Sequence, residues 1–396
     1  MDYHSIFLKL KSKFPDYQIF ENYSLAPHTT LKIGGPADIF FQPRDTDQFK
    51  SILNFVYQKN KKNGDEAINF SKRSERVTPA NAGGQPEGSE HRKNSVANLP
   101  LTILGNGSNI LISDSGIRGL VIKNVTPPNI ELLDTFLPPL NPTLSKPTLA
   151  ISTQRMENEP DKYLDFSKID YNESAYPRVS VQISAGTPLA QAINHTIASG
   201  WTGLQWFAYI PGTIGGAIWY NIHGGKYHLS QYLHQITVFN LQDGHHQTFD
   251  SSTLDWGYDT SPFQKNPHLI ILGATFQLFK GDATLARATA DAWIAQKSKI
   301  QPMNSAGSIF QNPNLEESTK IWGDQKSTGW IIDHELELKN YRLGDAVVGP
   351  QHANIFTNQG HATATDFLAL INHVQSEVKK RFDLTLRPEI KLLGEF

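Results

Sequence analysis

The most constraining feature of this chain is a stretch of ten residues at 208–217, which reads Ala-Tyr-Ile-Pro-Gly-Thr-Ile-Gly-Gly-Ala. Small residues around one threonine leave the backbone, rather than side chains, free to face a ligand. Proline fixes φ on one side, and the glycines allow the main chain to approach a flat or anionic group without an intervening Cβ. The pattern therefore predicts a loop whose backbone N–H groups bind a ligand.

Two further loops of the same character lie upstream of this stretch. The sequence Gly-Asn-Gly-Ser-Asn follows an apolar run at 101–104, and Ile-Gly-Gly-Pro-Ala occupies 33–37. Each loop alone is equally well explained as a tight turn, but three together predict a cofactor that carries a pyrophosphate. The residues predicted to hold it are Ile33, Gly34, Gly35, Gly105, Asn106, Gly107, Ser108, Asn109, Ile210, Pro211, Gly212, Thr213, Gly215 and Gly216.

The common nucleotide-binding motifs do not account for these loops. A dinucleotide fold of the usual type requires G-x-G-x-x-G, and the loop that begins at Gly105 lacks the third glycine. The residues from Leu111 onward also have the composition of an extended segment rather than a helix. No G-x-x-x-x-G-K-[ST] motif occurs. The loops are therefore expected to belong to another nucleotide-binding fold.

Composition narrows the class of protein. The chain has 396 residues, enough for two or three domains, a formal net charge of −2, and no cysteine. Disulfides, thiolate catalysis and cysteine-ligated iron–sulfur clusters are thereby excluded, and the histidines show no metal-ligand spacing, so no metal site is predicted. No apolar run reaches the roughly 20 residues that a membrane span needs, and Met1 to Lys13 lacks a signal-peptide core. We expect a cytoplasmic monomer without nucleic-acid or membrane partners.

Helix and strand patterns are interspersed without strict alternation, which favours an α+β fold. Polar residues without apolar periodicity fill 58–98, which we interpret as a mobile insertion, and 126–178 is a second, proline-rich insertion. The clearest predicted elements are a strand over Leu31–Gln42, antiparallel strands over His234–Leu241, Gly244–Phe249 and Leu269–Phe279, and helices over Thr284–Lys299 and Thr365–Phe382. Shorter candidate strands are Leu149–Thr153, Ala346–Val348 and Ile355–Thr357.

Two segments near the C-terminus contain polar residues that are candidates for a functional site. Ser308 and Asn312 lie in a small, flexible stretch, and Glu389 lies in an otherwise strand-like segment. A lone serine is usually a turn residue and a lone glutamate is usually solvated. Nothing in the spacing pairs Ser308 with Glu389 or supplies a base for a hydrolytic triad.

The ordered set of motifs resembles the UDP-N-acetylenolpyruvoylglucosamine reductase family of peptidoglycan precursor synthesis. The resemblance covers most of the chain outside the two insertions, and the order and spacing of the motifs make it specific. It rests on these segments: Asn22–Leu25, Thr29–Gly35, Gly105–Asp114, Ile210–Gly216, Ala306–Pro313, Gly329–Asp333 and Leu386–Ile390.

The resemblance implies a vanillyl-alcohol-oxidase-type FAD-binding region of two subdomains, followed by a C-terminal α+β substrate-binding domain. The expected division is 1–125, the insertion 126–178, 179–283 and 284–396. NADPH would reduce FAD, which would reduce UDP-N-acetylglucosamine enolpyruvate, a UDP-sugar, to UDP-N-acetylmuramate. Ser308 would donate a proton, Glu389 would polarise the substrate carboxylate, and Tyr258 and Asn312 would contact the substrate.

Two positions depart from the family pattern. Where the family carries an arginine in Y-R-x-S-x-F, this chain has Asp259, which reverses the charge beside an anionic substrate. A lysine expected in F-K-N-P is Gln311 here. Another cation (Lys265, Lys299 or Arg387) can substitute, the enzyme can be slow, or the substrate can differ, and we favour substitution.

Two other functions remain open from the sequence. One is a flavin oxidase or dehydrogenase of the same superfamily, which would reoxidise rapidly in air without NADPH. The other is a non-catalytic flavin-binding protein, in which Asp259 marks lost chemistry.

Overall fold

The computed structural model describes residues 1–61, 98–137, 173 and 176–396. Most of both predicted insertions therefore lies outside the described residues, as does a candidate strand at 149–153. Within the described ranges, no helix is long and apolar enough to cross a membrane.

The first unit is a four-stranded sheet with two helices against it. α2 buries Phe49, Ile52, Leu53 and Val56, a spacing that places them on one helical face. They pack with apolar residues of the sheet and of the neighbouring unit in one core. The sheet order is β1 (Ile19–Ser24), β2 (Pro36–Phe41), β5 (Ile117–Lys123) and β3 (Leu101–Leu104), and the helices are α1 (Tyr3–Lys13) and α2 (Thr46–Lys61).

The first predicted strand was too long at its start. The structure begins β2 at Pro36 instead of residue 31. Lys32 has φ +57° and Gly34 has φ +149°, so the preceding residues form a loop rather than extended backbone. This loop contains Gly34 and Gly35, which the sequence analysis assigned to a ligand-binding loop.

The second unit is a six-stranded antiparallel sheet, and it confirms the three antiparallel strands predicted between residues 234 and 279. The hairpin turn closes at Gly244, whose φ is +77°. β6 lies within 126–178 but pairs with β7, so the sheet extends into that segment. The strands are β6 (Ile130–Leu137), β7 (Arg178–Ser184), β8 (Trp201–Thr202), β11 (Leu233–Asn240), β12 (His246–Asp250) and β13 (Leu269–Lys280).

Helices cover one side of this sheet and share its core. The helix predicted from Thr284 begins one residue earlier, where Asp282 accepts hydrogen bonds from the first backbone N–H groups. The remaining elements of this unit are α3 (Leu189–Ala198), α4 (Ile214–Tyr220), α5 (Pro262–Lys265), α6 (Ala283–Ile300), and the short strands β9 (His223–Gly224) and β10 (Tyr227–His228).

The third unit packs a four-stranded antiparallel sheet against one long helix, α9. A capping box between Thr363 and Asp366 begins that helix, and its apolar face closes a separate core. Both strands predicted between residues 346 and 357 are confirmed. The elements are β14 (Ser305–Ser308), β15 (Arg342–Leu343), β16 (Ala346–Val348), β17 (Ile355–Asn358), α7 (Leu315–Trp322), α8 (Thr328–Trp330) and α9 (Ala364–Phe382).

Contacts distant in sequence dock the third unit onto the first. β18 (Lys391–Leu393) pairs in parallel with β4 (Ile110–Ile112). Asp114 accepts hydrogen bonds from the backbone N–H groups of Ala364 and Thr365 at the start of α9, and these bonds lower the pKa of its carboxyl group despite the opposing effect of burial. The docking brings the C-terminal segment beside the glycine-rich loops, and the mixed architecture confirms the α+β prediction.

Candidate active site

Two of the predicted glycine loops meet in space. The Asn106 side chain donates a hydrogen bond to the Gly212 carbonyl oxygen at 3.0 Å, and the Ser108 hydroxyl donates to the Pro211 carbonyl oxygen at 2.9 Å. These bonds link residues more than one hundred positions apart. The loops at 105–109 and 210–216 therefore share one surface.

The close approach of these loops depends on glycine at one position. A Cβ on Gly105 would lie 2.8 Å from the Thr213 hydroxyl oxygen, closer than side chains pack. The Thr213 hydroxyl also caps α4, because it accepts a hydrogen bond from the Gly216 N–H at the start of that helix. The contact thus fixes the separation of the two loops.

The segment just before the third predicted loop contacts the second loop. Thr30 N–H donates to the Gly107 carbonyl oxygen at 3.1 Å. Gly107 has φ +64°, and a Cβ there would lie 2.3 Å from the His28 carbonyl oxygen. The Ile33 N–H donates to Thr29 Oγ1 at 3.2 Å, which ties the third loop to that segment. We call the three loops, 33–35, 105–109 and 210–216, the cofactor cradle.

The cofactor cradle has an open backbone surface. A Cβ on Gly212 would meet no heavy atom of the described residues within 4 Å, and one on Gly216 would meet only the Thr213 hydroxyl oxygen at 3.6 Å. Peptide groups without overlying side chains are suited to bind phosphate oxygens. The cradle therefore fits the pyrophosphate of FAD.

The structure brings Ser308 and Glu389 onto neighbouring segments. Glu389 N–H donates to the Ile309 carbonyl oxygen at 2.7 Å, and Gln311 N–H donates to the Arg387 carbonyl oxygen at 2.9 Å. The segment 387–389 therefore runs antiparallel beside 309–311, directly after Ser308 at the end of β14. Sequence spacing alone did not pair these two residues.

A buried asparagine that no sequence pattern indicated holds this segment. Asn354 is 3% exposed. Its side-chain oxygen accepts from the Phe310 N–H at 3.0 Å, and its side-chain nitrogen donates to the Phe310 carbonyl oxygen at 2.8 Å. Asn354 thus satisfies both backbone groups of the residue that lies two positions after Ser308.

Glu389 has strongly perturbed acidity. Burial raises the pKa of its carboxyl group to about 8, and the negative charge of Asp259 adds to this effect. Lys297 and Lys391 act in the opposite direction. Near neutral pH the carboxyl group is therefore largely protonated and can donate a hydrogen bond.

Two tyrosines surround this carboxyl group. The Tyr220 hydroxyl donates to the Glu389 carbonyl oxygen at 2.9 Å. Burial, followed by the charges of Glu389 and Asp259, raises the pKa of Tyr220, and burial with the same two carboxylates raises that of Tyr258. Both hydroxyls therefore keep their protons and remain donors. We call this group the charged cluster: Glu389, Asp259, Lys297, Lys391, Tyr220 and Tyr258.

The cations nearest the carboxyl group are not those predicted from the sequence. Lys265, Lys299 and Arg387 are exposed. Lys297 is half-buried on α6, and burial lowers its pKa while Glu389 opposes that change. Lys297 and Lys391 went unpredicted because lysines in a helix and at a strand carry no motif that separates them from solvated lysines.

The remaining predicted contact lies on the same segment. Asn312 accepts a hydrogen bond from the Thr328 N–H at 3.0 Å, so its side-chain oxygen orders the start of α8. The described residues contain no group of three or more histidine, aspartate or glutamate side chains that could hold a metal ion.

Comparisons with family models match two regions of the chain. Residues 299–393 match the C-terminal domain of UDP-N-acetylenolpyruvoylglucosamine reductase. Residues 152–250 match an FAD-binding domain. The first match contains Ser308 and Glu389, and the second contains the loop at 210–216.

Individual proteins show similarity over greater lengths. A UDP-N-acetylenolpyruvoylglucosamine reductase from Acaryochloris marina is 32% identical over 303 residues, which cover 75% of this chain and 80% of that protein. One from Pediococcus pentosaceus is 28% identical, with 96% of both chains covered. The crystal structure of the Thermus caldophilus reductase superposes with a TM-score of 0.58 at 22% identity, and it covers 96% of this chain and 99% of that one.

Proposed function

The chain belongs to the UDP-N-acetylenolpyruvoylglucosamine reductase family, and we propose on that basis how its residues carry out the reaction. The activity is the NADPH-driven, FAD-dependent reduction of UDP-N-acetylglucosamine enolpyruvate to UDP-N-acetylmuramate in peptidoglycan precursor synthesis. The fold is the vanillyl-alcohol-oxidase type of FAD-binding region with a C-terminal α+β substrate-binding domain.

One observation carries the assignment of roles: the hydrogen bond from Glu389 N–H to the Ile309 carbonyl oxygen. It sets the backbone of the half-buried Glu389 beside the segment that follows Ser308. Reduction of an enolpyruvyl double bond needs a hydride at the terminal carbon and a proton at the carbon that bears the carboxylate, and a polarised carboxylate stabilises the negative charge between the two additions. In our proposal, Ser308 donates the proton and Glu389 binds the carboxylate.

The cofactor cradle would hold FAD through the backbone N–H groups of 105–109 and of Gly34, Gly212 and Thr213. Most other N–H groups of the cradle already donate within the protein, as those of Gly35 and Gly215 do to the carbonyl oxygens of Ser113 and Ala185. When bound, FAD accepts hydride from NADPH and delivers hydride to the substrate. The contacts between Asn106 and Gly212 and between Ser108 and Pro211 support this role because they keep two loops on one surface. The residues of the chain would then position the cofactor and the substrate and keep water away from them, while the cofactor supplies the redox chemistry.

The charged cluster would recognise the anionic end of the substrate. A protonated Glu389 donates a hydrogen bond to the substrate carboxylate without adding repulsion, and the raised pKa of Glu389 supports this. The Tyr220 hydroxyl, bonded to the Glu389 carbonyl oxygen, orients the segment. Tyr258 and Asn312 are the proposed further substrate contacts.

We also propose a monomeric enzyme of the cytoplasm and a domain division that departs from the expected 1–125, insertion 126–178, 179–283 and 284–396 at two places. The second unit also includes β6, which pairs with β7, and α6, which packs in the core of the second sheet, so the substrate-binding domain begins after α6. The chemistry of the enzyme supports the cytoplasmic location, since UDP-sugars and NADPH are metabolites of that compartment. The near-neutral formal charge of −2 supports the absence of nucleic-acid and anionic-membrane partners. Size-exclusion chromatography with light scattering checks the monomer.

The test is NADPH oxidation by the FAD-loaded protein with and without UDP-N-acetylglucosamine enolpyruvate. We expect substrate-dependent oxidation that falls by about 10²- to 10⁴-fold in Ser308→Ala, the usual range for loss of a general acid. NADPH alone should still bleach the flavin in that variant. The matched control is Ser305→Ala on the same strand as Ser308. The hydroxyl of Ser305 donates to the Pro302 carbonyl oxygen.

Two outcomes would contradict the proposal. Rapid air reoxidation of the flavin with an alcohol substrate, without NADPH, would identify an oxidase of the same superfamily. Bound flavin without any substrate-dependent oxidation would identify a non-catalytic binding protein.

A further inference from the structure

Two parallel strands of the first sheet end side by side at the cofactor cradle. β3 ends at Leu104, directly before the loop at 105–109, and β5 ends at Lys123. The two strands pair with Leu104 opposite Lys123, and the Asn124 N–H donates to the Leu104 carbonyl oxygen at 2.7 Å. In open α/β sheets, ligands bind beyond the carboxyl ends of parallel strands. Lys123 therefore lies at the edge where a ligand of the cradle would bind.

His28 holds the Lys123 side chain in place. Lys123 Nζ lies 3.0 Å from His28 Nδ1. Burial lowers the pKa of His28 to about 4, and the charges of Lys123 and Lys32 add to this effect, so the imidazole is neutral near pH 7. Because an ammonium group can only donate, Nδ1 accepts this hydrogen bond. The ring packs in turn against Tyr23 and Phe40, with centroid distances of 5.5 and 4.7 Å.

A second lysine lies beside the first. Lys32 adopts φ +57°, and its Nζ donates to the Pro27 carbonyl oxygen at 3.3 Å, one residue before His28. Burial, followed by the charge of Lys32, lowers the pKa of Lys123. Among the described residues, no carboxylate pairs with either lysine. Like charges held close together repel, and a bound anion would relieve that repulsion.

The neighbouring loop supplies hydrogen-bond donors without net charge. Thr30, between His28 and Lys32, donates from its N–H and its hydroxyl to the Gly107 carbonyl oxygen at 3.1 and 3.4 Å. The segment that carries Lys32 therefore lies against the loop at 105–109. Peptide N–H groups of such a loop can bind phosphate oxygens, but they do not neutralise the negative charge of a phosphate. The two lysines place positive charge beside the same loop.

We propose that Lys123, with Lys32 beside it, forms an anion site that binds a phosphate group of a dinucleotide, an inference that rests on the proposed function. Lys123 donates to the phosphate oxygens as a point charge. His28 is a positioning residue that acts through Lys123, and the exposed Lys32 adds to the local positive potential. Two dinucleotides of the proposed reaction carry such a group: FAD in its diphosphate, and NADPH also in its 2′-phosphate. The position beside the loop at 105–109 favours FAD.

The first measurement is a fluorescence titration of the full-length protein with FAD. In Lys123→Met we expect the Kd for FAD to rise about tenfold or more, the range for a lost hydrogen bond to a charged group. Lys123→Arg keeps the charge and should stay within about threefold of the wild-type Kd. Lys32→Met removes an exposed charge and should raise the Kd by about threefold or less. The matched control is Lys320→Met on α7, an exposed lysine whose loss should leave the Kd unchanged.

Two further readouts separate a lost charge from a packing defect. Because salt screens charges, the difference in Kd between the wild-type protein and Lys123→Met should narrow in about 1 M potassium chloride. His28→Phe keeps a ring against Tyr23 and Phe40 but removes the acceptor for Lys123. It should raise the Kd less than Lys123→Met does, and the two changes together should be no worse than Lys123→Met alone.

Flavin reduction distinguishes the two sources of the phosphate. NADPH and NADH share a diphosphate, and only NADPH carries the 2′-phosphate. If FAD supplies the phosphate, Lys123→Met should leave the preference of the FAD-saturated enzyme for NADPH over NADH unchanged. An unchanged Kd for FAD, with reduction by NADPH but not by NADH slowed about tenfold, would support the anion site and assign it to the 2′-phosphate.

An unchanged Kd for FAD together with an unchanged preference for NADPH in Lys123→Met would overturn the anion site. A Kd that rises equally in Lys123→Met and Lys123→Arg would overturn it in favour of a structural role. Failure of the proposed function is separate, because it appears in the wild-type protein as the absence of substrate-dependent NADPH oxidation. The anion site is judged from the FAD affinity and coenzyme preference of the variants.

Discussion

The cofactor cradle and the charged cluster are two halves of one candidate site, yet they are built from different parts of the chain. The cradle consists of backbone: its loops touch through carbonyl oxygens, small hydroxyls and glycines such as Gly105. The charged cluster consists of side chains whose acidities depend on one another, with Glu389 at its centre. The first is therefore sensitive to added volume, and the second to altered charge.

This difference matches the ligands that we propose for the two halves. A pyrophosphate is bound well by several peptide N–H groups, which glycine leaves uncovered. A single carboxylate next to a reacting double bond needs one donor in a defined protonation state, and burial sets that state. Substitutions in the two halves should therefore impair different properties, FAD binding in the cradle and pH-dependent turnover in the charged cluster.

The largest effect should come from volume added to the cradle. In Gly105→Ala the new Cβ would lie 2.8 Å from the Thr213 hydroxyl oxygen, so the loops must separate. Overpacking of this kind costs about 3 kcal/mol at its upper range, which corresponds to roughly a hundredfold weaker FAD binding. The flavin content of the purified protein and a fluorescence titration with FAD measure it.

The matched control for this change is Gly200→Ala, at a helix end remote from the cradle. Gly200 has φ +72° and nothing within 4 Å of a Cβ, so the control carries backbone strain of about 1 kcal/mol without a clash. FAD affinity should be unchanged there. Normal FAD binding by Gly105→Ala would show that the loops do not jointly hold the cofactor.

The next effect should appear in the segment 309–311, which pairs with the backbone on either side of Pro388. Asn354→Ala leaves the N–H and carbonyl groups of buried Phe310 without partners. We expect a loss of about 2 kcal/mol in the free energy of unfolding, the typical cost of unsatisfied buried groups. Urea denaturation measures it, with Asn54→Ala on the exposed face of α2 as the control. Equal stability of the two variants would refute the bracing role.

The sequence predicted the cradle better than the charged cluster, and the reason is physical. Gly105, Gly107 and Thr213 predict the cradle because close contacts of the backbone require small residues at these positions. Such a requirement is visible in the local sequence. The three loops were expected to share a ligand. The structure brings the loops at 105–109 and 210–216 into contact, and the segment before the third loop contacts Gly107. Ser308 and Glu389 were found through family resemblance, while their proximity follows from a backbone pairing that spacing could not reveal.

The members of the charged cluster that went unpredicted are those whose role depends on tertiary burial. Lys297 is half-buried and Lys299 is exposed because they lie on different faces of α6. The sequence alone does not show which face packs against the rest of the protein. His223 is not part of the cluster but pairs with its member Asp259, and in the sequence it is one of many ungrouped histidines. Charge compensation across 36 positions leaves no local pattern.

A third prediction concerns protonation of Glu389. Because its folded pKa of about 8 lies above the unfolded value of 4.5, the group contributes stability that is complete below about pH 4.5 and is lost as pH rises through about 8. Glu389→Gln, which stays neutral, should lack this component of the decline in melting temperature. Substrate-dependent turnover near pH 7 should fall about tenfold in that variant, as expected when a weaker donor replaces a carboxylic acid.

The pH profile separates this interpretation from simple misfolding. In the wild-type enzyme, turnover should decline as pH rises through about 8, where Glu389 loses its proton. That decline should be absent in Glu389→Gln and present in Glu337→Gln, an exposed glutamate. A decline that persists unchanged in Glu389→Gln would assign the ionisation to another group.

The smallest expected effect tests whether the charged cluster is tuned by its neighbours. Lys297 lowers the pKa of Glu389, so Lys297→Met should raise that pKa and move the alkaline decline in turnover to higher pH, by about one unit or less. Lys299→Met removes the same charge two residues away at the exposed surface and should leave the profile in place, because solvent screens it. If both variants shift the profile equally, the net charge of the protein rather than the local charge of Lys297 controls Glu389. If only Lys297→Met shifts it, the acidity of the site is set by a local electrostatic interaction, which the uncharged backbone of the cradle does not provide.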